Sequence, residues 1–266
     1  MQNLNMYSLC LYPEHYSKIK EFNYIPVGLG NNEFDSRWLR DNSGENISSK
    51  NPYYGEYTFH YWLWKNYLHK IDSNNWIGFC GYRYFWKQKK DGSNKKKDVL
   101  KYIPKEWNDY EAIVADPQFV DKIKFSKIFK NASLSFLFDE RTYFKKKKNI
   151  KFHFQIFHGK NSLDDAINLL DDDNREPFRH YVNSEKSFHK WNMFICRSKN
   201  KIINYYTSVF KWLNKCEKLF GFDLEGYGKK RMYGFLAERY LSYWFNKYTN
   251  PLTWPIFFYD TNKNKI

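Results

Sequence analysis

The side chains of this 266-residue chain that can do chemistry are scattered rather than gathered into a familiar signature. There is no GxGxxG, no Walker loop, no HExxH and no GxSxG, which argues against dinucleotide, ATP, zinc-protease and hydrolase chemistry. What remains are single groups at informative places. Asp171-Asp172-Asp173 has the carboxylate density that chelates a divalent ion, but it follows the helical pattern Ala166–Leu170 and reads as a solvated helix end. Asp116 closes an apolar run before Pro117, and a lone Asp before Pro is usually a turn residue. Arg83 follows another apolar run, and its plain reading is a surface arginine at a strand end. Cys10, Cys80, Cys196 and Cys216 form no CxxC pair. They suggest neither a disulfide framework nor a thiolate zinc site, and read as small buried apolar residues.

The elements that must position these groups can be read from periodicity. Met6–Tyr12 and Tyr24–Gly30 are short apolar runs ending in turn residues, so each predicts a strand; Trp76–Cys80, Glu111–Ala115 and Trp191–Cys196 do the same. Asn31–Asn51 is polar, and within it Arg40–Asn51 is too rich in Asn, Ser and Gly for a regular element and predicts a loop. Tyr57, Tyr61, Trp64 and Leu68 recur at amphipathic spacing and predict a helix over 54–70. Further helices are expected over Ser162–Leu170, Lys199–Phe220 and Arg231–Tyr248, the last with Met232, Leu236, Tyr240 and Tyr243 on its core face. This order predicts an α/β fold, a mixed sheet flanked by helices with a more helical C-terminal half. No linker or repeat divides it. Ligands of such sheets sit beyond the carboxyl ends of the strands, so the loops after Gly28, Cys80 and Ala115 are the first places to look.

Composition narrows the partners. Lys and Arg number 44 against 29 Asp and Glu, a formal charge of +15, while aromatics make up 21% of residues with only 12 Gly and 8 Pro. Such a chain folds rather than remaining disordered. Lysine supplies 35 of the cations, alongside abundant Asn, Tyr, Phe and Ile, so part of the charge is compositional drift. The sharper reading is attraction to anions: phosphorylated substrates, an anionic membrane surface, or nucleic acid. Lys95–Lys97 and Lys145–Lys148 read as solvated loops. The cations are scattered and no nucleic-acid-binding pattern accompanies them, so nucleic acid is not the expected partner. No run of about 18 apolar residues is present. Met1–Pro13 has no Lys or Arg ahead of an apolar stretch and no small-residue cleavage site, so a secretory signal is not expected and a cytoplasmic location is, with at most peripheral contact at the inner membrane.

Ser43–Asn66 (SGENISSKNPYYGEYTFHYWLWKN), Ile77–Phe85 (IGFCGYRYF), His189–Ile195 (HKWNMFI) and Arg231–Arg239 (RMYGFLAER) stand out together. In order and spacing, from Ile25-Pro-Val-Gly28 to Ala237-Glu-Arg239, they resemble an uncharacterised bacterial family found in capsule, exopolysaccharide and O-antigen loci and regarded as glycosyltransferases. The resemblance implies a single GT-A-like (Rossmann-like) domain. Its nucleotide-binding part spans about 1–120 and its acceptor-side part about 121–266. It also implies a nucleotide-sugar donor, UDP-linked as first expectation, and a surface-polysaccharide or lipid-linked oligosaccharide acceptor. A non-catalytic relative and a basic nucleic-acid-binding protein are the alternatives. One departure bears on this: the family's His-Tyr-Arg-Arg-Tyr-Phe stands here as Gly81-Tyr-Arg-Tyr-Phe85, lacking a His and an Arg.

Sugar transfer expels a nucleoside diphosphate, whose developing charge needs a metal held by carboxylates or a set of cationic side chains. No strand here ends in Asp-x-Asp, so Arg83, Lys50 and Arg231 or Lys229 are favoured over Mg or Mn, and no metal ligands are assigned. Gly28, Asp41, Asn46, Lys50, Asn51, Tyr82 and Arg231 are the donor-binding candidates. An inverting transfer also needs a carboxylate base. Glu238 is the candidate, because helical spacing turns it away from the apolar face of its helix; Glu56 and Asp41 stand next. Glu56, His158, His189 and Asn192 are candidates on the acceptor side, with Tyr53, Tyr54 and Trp191 available to stack on sugar rings. Each has a plainer reading: an ion pair of Glu238 with Arg239 or Arg231, helix-dipole stabilisation by Glu56, half-buried histidines and core aromatics.

Overall fold

The structure, a computed structural model, describes residues 3–121 and 148–259. Eleven strands are formed among these residues: β1 (Leu4–Cys10), β2 (Ile25–Gly28), β3 (Leu39–Arg40), β4 (Trp76–Gly81), β5 (Tyr84–Trp86), β6 (Ala112–Ala115), β7 (Pro117–Phe119), β8 (Ser187–His189), β9 (Phe194–Cys196), β10 (Pro251–Trp254) and β11 (Ile256–Phe258). Seven make one mixed sheet in the order β10-β6-β9-β4-β1-β2-β3, with β9 antiparallel to both of its neighbours. The pairs β5–β11 and β7–β8 are separate antiparallel ribbons.

Both faces of the large sheet are covered, which explains why its strands read as continuous apolar runs rather than alternating ones. Along β6, Ala112 and Val114 enter one core while Ile113 and Ala115 enter the other, and β1, β4 and β9 alternate in the same way. The first core is roofed by helices: α2 (Asn51–Tyr54), α3 (Tyr57–Trp62), α4 (Ile150–His158), α5 (Ser162–Asn168), α6 (Asp172–Ser184), α7 (Lys199–Phe220) and α9 (Met232–Tyr248), while α8 (Tyr227–Lys230) is a single turn before α9. The second core holds α1 (Tyr16–Glu21) and the β5–β11 ribbon. All four cysteines are buried and free, and burial pushes the Cys80 and Cys196 thiols up to about 12.

Local chemistry sets the helix ends. Asn149 caps α4 by accepting from Phe152 N, and Ser198 caps α7 by accepting from Lys201 N. Asp171 caps α6 and places Asp172 and Asp173 in its first turn, so the acidic triple is a helix start rather than an ion site. Pro177 lies inside α6 and cannot donate to the carbonyl of Asp173; Lys247 Nζ takes that carbonyl instead at 2.6 Å.

Two expectations need correction. The helix over 54–70 is broken at Gly55 and continues from α3 into a π-helical turn at Leu63–Tyr67. Thr58, Phe59 and His60 are as buried as Tyr57, so α3 is a core element, and only the turns after it, with Lys65, Tyr67, His69 and Lys70 exposed and Leu68 buried, keep an amphipathic pattern. Likewise α9 is buried from Met232 to Phe245 apart from the half-buried Phe235, because α2, α6, α7 and β8 pack against it, and the side that spacing turned toward solvent or a cleft faces a cavity. Arg40–Asn51 is a loop for most of its length as expected, although Arg40 closes β3 and Ser48–Lys50 form a short 3-10 turn, and Asn66 and Trp62 pin it through Glu45 N at 3.0 Å and Ser43 Oγ at 3.1 Å. Among the described residues, no helix is long and apolar enough to cross a membrane. Lys145–Lys147 lie outside the described residues, and Lys96 pairs with Glu21.

Candidate functional site

Strands β1, β2 and β4 are mutually parallel and end together at Cys10, Gly28 and Gly81. Because β9 runs against them, its approach through Trp191–Met193 reaches the same edge. Helices α4 and α9 and the segment 225–231 complete the walls of a cavity of about 1280 Å³ at that edge.

Glu238 projects from the middle of α9 into this cavity, 8% exposed. Oε1 accepts the Trp191 backbone N–H at 2.6 Å, and Oε2 pairs with Arg239. Arg239 in turn donates from Nη2 to His153 Nδ1 at 3.2 Å, with its guanidinium 4.1 Å over the Phe188 ring. That bond requires an unprotonated Nδ1, and burial, with Arg239 beside it, holds His153 well below the usual histidine range. Burial raises the Glu238 carboxyl above the ordinary range, against the lowering pull of Arg239 and the Trp191 N–H. A carboxylate fixed in orientation and raised in basicity is what a general base requires.

A second pair stands in the same wall. Arg231 Nη2 meets Glu56 Oε2 at 3.2 Å. Gly55, at φ 58°, makes room for it, since a Cβ there would lie 2.3 Å from Arg231 Nη2. Arg83 and Lys229 also line the cavity, both exposed, and neither has a carboxylate within ion-pair distance among the described residues. The Arg83 guanidinium sits 4.9 Å over Tyr82, which stacks on His15 at 5.0 Å. A cation without a counter-ion at the carboxyl edge is suited to an anionic ligand.

The cavity thus gathers Glu238, Arg83, Asn51, Tyr82, Arg231, Glu56, His158 and Asn192 from the sequence candidates, together with Lys229 and Trp191. Five candidates lie outside its walls. Gly28 is a packing glycine, since a Cβ would sit 2.6 Å from the Phe34 ring. Asp41 is fully buried, its carboxyl raised by desolvation. Asn46 shapes a turn, accepting from Ser48 N at 3.2 Å. Lys50 is held by Glu217 at 2.7 Å. His189 is a brace: Nδ1 donates to Ala115 O at 2.6 Å, and its backbone N–H to Ser242 Oγ at 2.7 Å. His158 keeps a cavity position, but Nδ1 donates to Gly228 O at 2.9 Å and burial pushes the ring down to about 3, so it is neutral at neutral pH. Tyr54 is core, and Tyr53 packs on Phe222. Arg239 and His153 were not among the candidates, because no spacing rule pairs residues 153 and 239. Gly81 is open: a Cβ there would meet nothing within 4 Å.

A family described as a domain of unknown function, DUF4422, matches residues 9–250. The chain belongs to this family. The DUF4422 chain shares its fold with a solved structure described as the apo form of the WbbM bifunctional glycosyltransferase, at a TM-score of 0.68 and 18% identity. The alignment covers 98% of this chain and 46% of that one, so the chain spans less than half the length of that protein. No curated protein matches the DUF4422 chain. No three His, Cys, Asp or Glu side chains come together to hold a metal ion among the described residues. Glu56 and Glu238 are each tied to a guanidinium. The described donors therefore do not fit a metal, and the chemistry below is built from side chains alone.

Proposed function

We propose that the chain is a glycosyltransferase that moves a sugar from a nucleoside-diphosphate donor, UDP-linked in the first instance, to a hydroxyl of a surface-polysaccharide or lipid-linked oligosaccharide acceptor. The observation that carries this reading is one cavity, at the carboxyl edge of an α/β sheet, holding a raised carboxylate, Glu238, and a cation, Arg83, without a counter-ion among the described residues. The shared fold with a glycosyltransferase supports it. In this reading Glu238 takes the proton of the acceptor hydroxyl as its oxygen attacks the anomeric carbon. The bond from that carbon to the diphosphate breaks, and the electron pair leaves on a phosphate oxygen. Arg83 and Lys229 neutralise that oxygen, the part a metal ion would otherwise play, and the direct displacement inverts the anomeric centre. Arg231 is held by Glu56 and serves as a fixed positive wall rather than as the primary phosphate ligand. The open position at Gly81 widens the donor side and sets which sugar fits.

Calorimetry against UDP, GDP and CDP with added chelator tests the reading. Preferential binding of one diphosphate is the expected result, and no binding of any at millimolar concentration overturns it.

A further inference from the structure

We propose, resting on the transferase reading, that Trp191, Tyr84 and Asn192 form a glycan subsite that takes one pyranose ring of the acceptor. Two consecutive residues other than glycine, Trp191 at φ 71° and Asn192 at φ 51°, occupy the left-handed region. Side chains with a Cβ enter it at a cost, and runs of such residues persist only where the surroundings enforce them. Here Glu238 Oε1 holds the Trp191 N–H at 2.6 Å, and Gly234 O receives Asn192 Nδ2 at 3.4 Å. The turn does not bury the indole: Trp191 remains 42% exposed on the cavity wall. Its ring lies against Tyr84 at 4.3 Å and 22°, and Phe258 flanks Tyr84 at 5.3 Å. A strained backbone that presents a large apolar ring to solvent, with a second ring supporting it, is a platform rather than core.

The neighbouring amide defines what lies on that platform. Asn192 is 7% exposed, lines the cavity, and its Oδ1 has no hydrogen-bond partner among the described residues. A buried carbonyl oxygen left unmatched is unfavourable, so a ligand hydroxyl donating to it removes a standing cost. An apolar face beside a hydrogen-bond acceptor matches a pyranose, which offers axial C–H groups on one face and hydroxyls at its rim. A nucleobase would match the platform equally well in shape, and the test separates the two. Because the carboxylate that receives the Trp191 N–H is the proposed general base, a ring stacked here places the acceptor beside Glu238.

The probes are p-nitrophenyl glycosides of galactose, glucose, mannose and N-acetylglucosamine, observed by saturation-transfer NMR on the whole chain, with UDP titrated separately. Trp191→Asn removes the ring while tolerating the left-handed backbone, Trp191→Phe restores a ring, and Asn192→Gly removes the acceptor oxygen without strain. The expected result is binding of at least one glycoside, weakened about three- to tenfold in W191N and in N192G and recovered in W191F, with the UDP affinity of all variants that of the parent. Glycoside binding that is absent from the parent, or unchanged in both W191N and N192G, overturns the subsite. A UDP affinity that falls in W191N while glycoside binding holds assigns the platform to the base of the donor and also overturns it. Failure of UDP to bind the parent counts against the transferase reading alone, since the glycoside measurement stands without it.

Discussion

Two carboxylates of the late helices each pair with a cation, Glu217 with one from a distant segment and Glu238 with its own helix neighbour, and the pairs do opposite things. Glu217, near the end of α7, receives Lys50 Nζ at 2.7 and 2.8 Å and Tyr54 OH at 2.8 Å, outside the cavity and with the pair's side chains 20–33% exposed. Glu238, in the middle of α9, receives Arg239 and the Trp191 N–H inside the cavity, with Arg239 only 2% exposed. Both carboxylates have both oxygens occupied. The difference is dielectric and placement: burial raises Glu238, and the cavity gives it a reaction partner. Residue type alone does not divide structure from chemistry here.

The largest effect that sharpens this contrast is expected at Glu238. Glu238→Gln keeps an acceptor oxygen for the Trp191 N–H but removes basicity. Turnover should fall by about two to four decades with UDP affinity intact, measured by single-turnover assay and calorimetry. The parent's kcat/KM should rise with pH, because the deprotonated carboxylate is the active form. That limb should lie above the ordinary 4.5 of a glutamate, since the cavity raises the group, and it should vanish in E238Q. Turnover within a few-fold of the parent would leave Glu238 as a structural pair, the same in kind as Glu217.

Next in size is Arg83. Arg83→Ala removes an exposed cation that packs on Tyr82 and has no carboxylate partner among the described residues. Turnover should drop by about one to two decades, the value of a charge-assisted contact to phosphate, with the melting temperature unchanged. A matched loss of folded protein would mark the residue as structural. Gly55→Ala comes third: it forces a Cβ into left-handed backbone and against Arg231 Nη2, so chemical denaturation should show a loss of about 1–2 kcal/mol. An unaffected midpoint would show that Arg231 moves aside without cost.

Much of this arrangement is legible in the sequence, and the reasons it stops are physical. The strands are visible because burial on both faces leaves unbroken apolar runs such as Ala112–Ala115. Arg83 and Glu56 were found because strand ends and helix starts are local signals. Glu238 is legible because helical spacing turns it away from the Leu236–Tyr240 face toward solvent or a cleft, and it lines the cavity; what spacing does not show is that α9 is packed on nearly every side, leaving Glu238 8% exposed and tied to Arg239. Periodicity reports contrast between faces, and a helix packed on every side has none. Lys50 and His189 read as ligand-binding because each is polar beside an element. Their partners, Glu217 and Ala115 O, lie 167 and 74 residues away, beyond any local rule. Arg239 with His153 is the same limit seen from the other side.

The smallest expected effect tests the other half of the comparison. Glu217→Gln leaves a neutral amide between Lys50 and Tyr54, in a site where solvent screens the lost charge. The cost should be about 0.5–1 kcal/mol, or a melting temperature lower by about 1–4 °C. Turnover and UDP affinity should stay within twofold, because neither oxygen faces the cavity. Lys50→Met separates the charge from the stem, whose ammonium also lies 5.5 Å from the Phe222 ring. If K50M matches E217Q in stability and leaves UDP affinity alone, Lys50 is a tie between Ser48–Lys50 and α7. A UDP affinity reduced tenfold in K50M but not in E217Q would mean that the lysine leaves Glu217 to meet the donor's phosphates, and the two pairs would then differ in timing rather than in kind.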